Sequence, residues 1–378
     1  MKSPSQSKVF YFDYNATHPP FLHFLSESLN EYAEEYFNPS GATRFSMRNQ
    51  GKIESARKYF SELTKKNERG FVFSSTGTEA NYLLLRYLRE TNPDTDELIV
   101  SPFEHSSMYS AIRDLGFTPK LIQTDLSGVI DLKSLRSLLS ENPAPVLCLY
   151  AGNETGVLQP VEAIHQLTKE FGVTFFSDLM QAFGKIKVDF SLFDGFSFSS
   201  HKIGGGLGSA LSYVPGEKTD YHVFGGGNQE NGHRAGTENV QALLSFQKAT
   251  EFQMGQLSEK ETRLKKFQTQ METHLESLGC KIIAKNSPRL PNTSFVILPF
   301  DEIDFFLLGM EEKNIVISTG SSCKSRAREA SSSLIAMGYS KEEALRCIRI
   351  STGIHTTEEE IRFLMESAKE LIQKLKSF

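Results

Sequence analysis

VTFFSDLMQAFGKIKVDFSLFDGFSFSSHKIGGG, residues 173–206, is the stretch on which the fold turns. It holds two short apolar runs that read as strands, VTFFSD (173–178) and GFSFSS (195–200), each followed at once by polar residues. A lysine and a glycine cluster come directly after the second run. Working outward, GFVFS (70–74), LIVS (98–101), KLIQT (120–124), PVLCLYA (145–151) and SALSYV (209–214) are strands of the same kind. Helical periods separate most of them. IESARKYFSEL puts Ile53, Ala56, Phe60 and Leu63 on one face, and VEAIHQLTKEFG does the same with Val161, Ile164 and Leu167 before Gly172 stops it. This alternation, from about residue 50 to 214, predicts an α/β fold with a mostly parallel sheet flanked by helices.

A polar helical stretch from Thr237 to Leu278, broken near Gly255, leads into the β-like NTSFVIL and a helix-rich tail. That change of pattern predicts a second, smaller α+β domain, with a boundary near residue 250. The chain is long enough for this, with 378 residues of which 39% are hydrophobic. There is no run of eighteen apolar residues, and MKSPSQSKVFYF has neither a signal-peptide apolar region nor an Arg-rich amphipathic pattern, so a soluble cytoplasmic protein without membrane contact is expected. A net charge of -5 offers no broad basic footprint for nucleic acid. The four cysteines have no CxxC spacing and suggest neither a metal site nor a disulfide framework. Cys148, Cys280 and Cys347 sit among apolar residues, whereas Cys323 lies in STGSSCKS, a polar loop of small residues suited to an accessible thiol.

Ligands of open parallel sheets gather at the C-terminal ends of strands, so the residues just after each apolar run are the candidates for chemistry. FVFS is followed by Ser75-Thr76-Gly77-Thr78-Glu79, where Thr76 and Glu79 have capping-box spacing and Gly77 permits close backbone approach, as in a phosphate cradle. LIVS leads to Glu104-His105, VLCLYA to Gly152-Asn153-Glu154, and TFFS to Asp178 with Gln181 three residues on. Each alone reads equally well as a cap or loop residue. FSFS leads to Ser200-His201-Lys202 and the glycines, where the lysine is either a surface charge or an amine kept for Schiff-base chemistry.

Taken in order, these segments resemble the cysteine desulfurases of the pyridoxal-phosphate-dependent aminotransferase class V family, fold type I. The resemblance runs from FDYNAT near residue 12 to STGIHTTEEEI near residue 361, through FNPS, STGTEAN, EHSS, GNETGVLQP, SDLMQAFGKI, SSHKIGGG, GGGNQENGHRAGTENV, GSSCKS and IRIS. It implies a large cofactor-binding domain over residues 19–250 and a small domain made of 1–18 and 251–378, which carries the Cys323 loop and brings VFYFDYNA beside it. Lys202 would carry pyridoxal 5'-phosphate and move the substrate Cα proton; Asp178 would pair with the ring nitrogen, and Gln181 with the phenolic oxygen. His105 would stack on the ring and shuttle a proton as a catalytic residue, while Gly77, Thr78, Ser199 and His201 would hold the phosphate. Thr237 would reach the phosphate of the other subunit of a homodimer. Arg349, assisted by Asn153, would clamp the carboxylate of L-cysteine.

Under the same resemblance Cys323 would take the sulfur as a persulfide and pass it to an acceptor protein serving iron-sulfur clusters, thiolated RNA or thiocofactors. Its spacing of 26 positions from Arg349 resembles the group with a long cysteine loop. Lys324, Arg326 and Arg328 follow the thiol, as a solvated loop or as charges that favour the thiolate and steer an acidic acceptor. The chain departs from the family pattern at Gly152, at Leu179 and Met180, in Ile203 to Gly208 after the lysine, in the absence of a histidine from FNPSGATRFS, and around Cys323. A selenocysteine lyase, another class V lyase or aminotransferase, and a non-catalytic scaffold are the alternatives.

Overall fold

The computed structural model describes residues 8–216, 221–319 and 329–376. After a short first strand, β1 (Phe10–Tyr11), come β2 (Phe71–Ser74), β3 (Glu97–Val100), β4 (Thr118–Leu121), β5 (Val146–Leu147), β6 (Phe175–Asp178), β7 (Gly195–Ser199) and β8 (Ala210–Tyr213). Strands β2 to β8 form one seven-stranded sheet in the order β2-β8-β7-β6-β5-β3-β4. Its pairs from β4 across to β7 are parallel, and β8 runs antiparallel between β7 and β2. Five of the seven strands differ from their expected bounds by one or two residues at an end, and two differ by more. KLIQT is a strand only to Leu121, because its single neighbour β3 ends at Val100, the register partner of Leu121. PVLCLYA is paired only at Val146–Leu147 and continues to an isolated bridge between Ala151 and Leu158.

Alternation along each strand divides the core between two faces. Phe71, Phe73, Ile99, Val146, Phe175, Phe196 and Phe198 point to one side, where Ile53, Ala56, Phe60, Val161 and Ile164 cover them. Val72, Leu98, Val100, Leu147 and Phe176 point to the other, against Leu83, Leu84, Leu88 and Met108. On β7 the second face carries only Gly195, Ser197 and Ser199. A Cβ at Gly195 would lie 2.2 Å from the Phe176 ring, so this face admits no bulk. The small residues let the helix Gly77–Thr91 pack directly on β7 and β8.

The polar stretch forms two helices, Val240–Gly255 and Leu257–Ser277, that meet at Gln256 as the break near Gly255 foretold. Beyond them lie β9 (Lys281–Ile282), β10 (Thr293–Ile297), β11 (Ile315–Val316) and β12 (Cys347–Ser351). The order β12-β10-β9 makes an antiparallel sheet, and β11 pairs in parallel with β1. Phe12 is buried with Phe267, Met271, Phe306 and Leu364 in a separate apolar cluster, which ties the N-terminal segment to these late elements. Cys148, Cys280 and Cys347 are all buried and free, in keeping with packing roles. Among the described residues no helix is long and apolar enough to cross a membrane.

Candidate active site

The C-terminal ends of β2, β6 and β7 open on one pocket of about 930 Å³, closed from the far side by Asn15, Ala16 and Arg349. A turn at Ser200–Lys202 follows β7 and brings the lysine into it. Gly204, two residues on, has φ +91°, and a Cβ there would meet Phe21 at 2.6 Å, so the chain can leave this turn only through glycine. Lys202 Nζ donates to the carbonyl oxygens of Asn15 at 2.7 Å and Ala16 at 2.8 Å. Burial and the neighbouring Arg349 charge pull its pKa from 10.5 to about 8, against the opposing charges of Asp178 and Asp13. An amine so placed is half deprotonated near pH 8, where an ordinary lysine is almost wholly charged.

Asp178 closes β6 and is buried. Its Oδ1 accepts from Met180 N at 2.8 Å and its Oδ2 from Asn81 Nδ2 at 2.9 Å. Burial raises the carboxyl pKa, and those two hydrogen bonds pull it back. Asn81 is fixed in turn: it donates to Ser107 Oγ at 3.1 Å and accepts from Ser197 Oγ at 2.5 Å. His105 caps the helix Ser106–Asp114, its Nδ1 accepting from Ser107 N at 3.1 Å. That donor assigns the proton of the neutral ring to Nε2. Desolvation by the pocket walls lowers the His105 pKa, which keeps the ring neutral near pH 7, although Asp178 favours its charged form.

At the end of β2, Thr76 caps the helix Gly77–Thr91, its side chain accepting from Glu79 N at 3.1 Å. Only half of the anticipated capping box forms. Glu79 reaches past Thr76 to accept from Ser75 N at 2.8 Å, and Arg234 Nε holds its other oxygen at 2.8 Å. Arg234 also donates to Ser75 Oγ at 2.7 Å, so the RAGTEN segment is anchored to the cradle. The first-turn N–H groups at Gly77 and Thr78 have no partner within the helix. Ser199 Oγ, in the same pocket, is buried and has no hydrogen-bond partner. An unsatisfied hydroxyl beside a helix N-terminus suits an anion. His201 lies alongside, its Nδ1 3.2 Å from Thr17 Oγ1, and burial lowers its pKa to about 4.

Gln181 is buried, donating from Nε2 to Asn15 O at 2.9 Å and accepting at Oε1 from Lys185 Nζ at 2.5 Å. Arg349, on β12, donates to the Asn153 carbonyl at 2.9 Å and to Asp13 Oδ1 at 2.6 Å. Thus Lys202, His105, Gly77, Thr78, Asn153, Asp178, Gln181, Ser199, His201 and Arg349 all line the one pocket. Thr237 does not: it is exposed and lies outside it. Cys323, with Lys324, Arg326 and Arg328, lies outside the described residues. The preceding Ile317, Ser318 and Thr319 do line the pocket, and Ser318 exchanges backbone hydrogen bonds of 3.1 and 2.6 Å with Arg349.

Of the two bulky departures, Leu179 points into the sheet core and only Met180 reaches the pocket, where it packs against Ala80 and Ala210 and would lie 2.8 Å from a Cβ at Gly77. Gly152 has a local reason, since a Cβ there would lie 2.8 Å from Thr155 Oγ1. Sequence reasoning missed Asn15, Asn81 and Asp13. For Asn81 a signal was present: it is a polar residue on the otherwise apolar face of Ala80, Leu84 and Leu88. Asn15 and Asp13 gave none, because their partners lie more than a hundred residues away.

A family model for aminotransferase class-V matches residues 10–364. The chain belongs to the aminotransferase class-V family. Among its relatives, a cysteine desulfurase of Nostoc sp. is 32% identical, the match covering 98% of this chain and 94% of the relative. A cysteine desulfurase IscS of Dictyoglomus turgidum is 27% identical over 97% of this chain and 95% of its own. The solved structure of a NifS-like protein from Rickettsia africae superposes with a TM-score of 0.87 at 30% identity, over 97% of this chain and all of that one. Class-V aminotransferases work with pyridoxal phosphate, and the pocket suits that group. It offers a partnerless buried hydroxyl at Ser199 and a helix N-terminus for the phosphate, a buried carboxyl at Asp178 for the ring nitrogen, and an amine at Lys202 for the aldehyde.

Proposed function

We propose that this class-V protein is a pyridoxal-phosphate-dependent cysteine desulfurase, taking sulfur from L-cysteine, releasing L-alanine and holding the sulfur on Cys323 for an acceptor protein. The convergence of Lys202, Asp178, His105 and Arg349 on one pocket is the observation that carries this reading. When bound, the cofactor supplies an electron sink for the substrate's Cα. Lys202 anchors it and afterwards takes and returns the Cα proton at Nζ, a task suited to a pKa of about 8. Asp178 holds a proton on the ring nitrogen, its two hydrogen bonds keeping the carboxylate aimed. His105 lies against the ring with a proton at Nε2. Gly77, Thr78, Ser199 and His201 hold the phosphate, joined by Thr237 of a second copy, and Gln181 donates to the phenolic oxygen. Arg349, with Asn153, binds the substrate carboxylate through N–H groups not engaged by Asp13.

The Cys323 thiolate then attacks the substrate sulfur, the Cβ–S bond breaks and Cβ is protonated to give alanine. Cys323 stands four positions after Thr319, a pocket residue, and four residues of extended chain reach at most about 14 Å. The covalent tether is therefore short enough for the thiol to serve this site. We also propose the domain division at residues 19–250 against 1–18 and 251–378, a homodimer, and a cytoplasmic location. The relatives' name IscS suits an acceptor in iron-sulfur cluster assembly. The test is to incubate purified, cofactor-loaded protein with L-cysteine and a reductant. Alanine and sulfide in equal amounts are expected, and the absence of both refutes the reading.

A further inference from the structure

Asp13 lies behind Arg349, outside the pocket lining, and is the carboxylate that pairs directly with it; buried Glu154 is a second acid that feels the Arg349 charge. The Asp13 carboxylate sits 2.6 Å from Arg349 Nη2, with side-chain exposures of 15% and 5%. Arg349 Nη1 donates to the Asn153 carbonyl at 2.9 Å, while Nε is buried without a partner. A guanidinium has five N–H donors, so three remain, one on each nitrogen. Two anchors on different nitrogens fix the guanidinium plane. Asp13 is itself held in place: the chain on either side of it is tied to β11 and β12 by Phe12 N to Val316 O at 2.9 Å and Asn15 N to Ser351 Oγ at 2.9 Å. A substrate carboxylate arriving at the free N–H groups therefore meets a cation that is well aimed but already balanced by an anion.

We propose that Asp13 is a positioning residue with two opposed effects: its hydrogen bond aims Arg349 at the substrate carboxylate, and its negative charge keeps that carboxylate weakly held. The inference rests on Arg349 being the carboxylate clamp. Weak holding has a use, since the product alanine carries the same carboxylate, and binding that grips substrate and product equally slows turnover without lowering the barrier. The arrangement separates orientation from affinity: the acceptor oxygen does the first and the charge limits the second.

The two effects part company in two variants. Asp13→Asn keeps an acceptor oxygen and loses the charge; Asp13→Ala loses both. The probes are L-alanine and ethylamine, which lacks the carboxylate, titrated into cofactor-loaded full-length protein and followed by calorimetry. Asp13→Asn is expected to bind L-alanine about fivefold or more tightly than wild type, with ethylamine unchanged, and to lower both KM and kcat for cysteine. Asp13→Ala is expected to show no gain over wild type, because the clamp is no longer aimed. Should Asp13→Ala fail to fold, Asp13→Ser, whose hydroxyl falls short of Arg349, replaces it. Equal L-alanine affinity in wild type and Asp13→Asn overturns the proposal, as does an equal gain in both variants. Wild type that binds L-alanine no better than ethylamine overturns the clamp and the proposal together, while sulfide production reports separately on the desulfurase reading.

Discussion

Replacing Asn81 by leucine tests how the pocket holds its buried carboxyl. The change keeps helix propensity and side-chain size but removes the Nδ2 donor at 2.9 Å from Asp178 Oδ2, leaving only the Met180 N–H at 2.8 Å. Burial already raises the Asp178 pKa, and Asn81 is one of the groups that lower it. A hydrogen bond to a charged group contributes about 1.5–3 kcal/mol, so its loss pushes the carboxyl further upward. Asp178 then grips a protonated ring nitrogen less well by the same free energy, roughly ten- to a hundredfold in cofactor dissociation constant. The assay is titration of cofactor-free wild type and variant with pyridoxal phosphate, followed by absorbance, with circular dichroism to check the fold. A dissociation constant within about twofold of wild type in a folded variant refutes the assignment of Asp178 as the ring-nitrogen partner.

Attachment of cofactor to stripped protein should accelerate with pH and level off above about 8, the pKa to which burial and Arg349 bring Lys202; a rate still climbing between pH 9 and 10.5 would show an ordinary lysine. Borohydride reduction and peptide mapping should then find the pyridoxyl group on Lys202 and on no other lysine. Cys323→Ser should keep the cofactor and bind cysteine but lose alanine production, and alanine release at the wild-type rate would favour a lyase that does not need the thiol. Lys260, buried and donating to Gly184 O and Gln253 Oε1, has its pKa lowered from 10.5 to about 7. Between those values the unfolded chain binds a proton that the folded chain does not, so this residue makes stability rise with pH by up to about 1.4 kcal/mol per unit. Lys260→Met should flatten that rise in denaturant titrations at pH 7, 8 and 9, and an unchanged slope would show that the amine stays charged.

Local pattern by itself determined the α/β class, the strands that end at Ser74, Asp178 and Ser199, and the polar residues that follow them, because strand periodicity and strand-end chemistry are properties of a few adjacent residues. Lys202, Asp178 and His105 were legible for that reason, and their ordered motifs pointed to the family. Strand bounds were less so: β4 stops where β3 stops, which depends on a pairing partner and not on KLIQT. What only the tertiary structure decided is the set of contacts between distant segments. Arg234 draws Glu79 out of the capping box, Asn81 reaches from a helix to the end of β6, and residues 13–15 thread between Lys202, Gln181 and Arg349. A buried polar group must find its partner wherever the fold offers one, and hydrogen bonding carries no sequence period. The residues proposed for the chemistry could thus be read along the chain, whereas the groups that hold them in place become visible only once β1 to β12 are folded together.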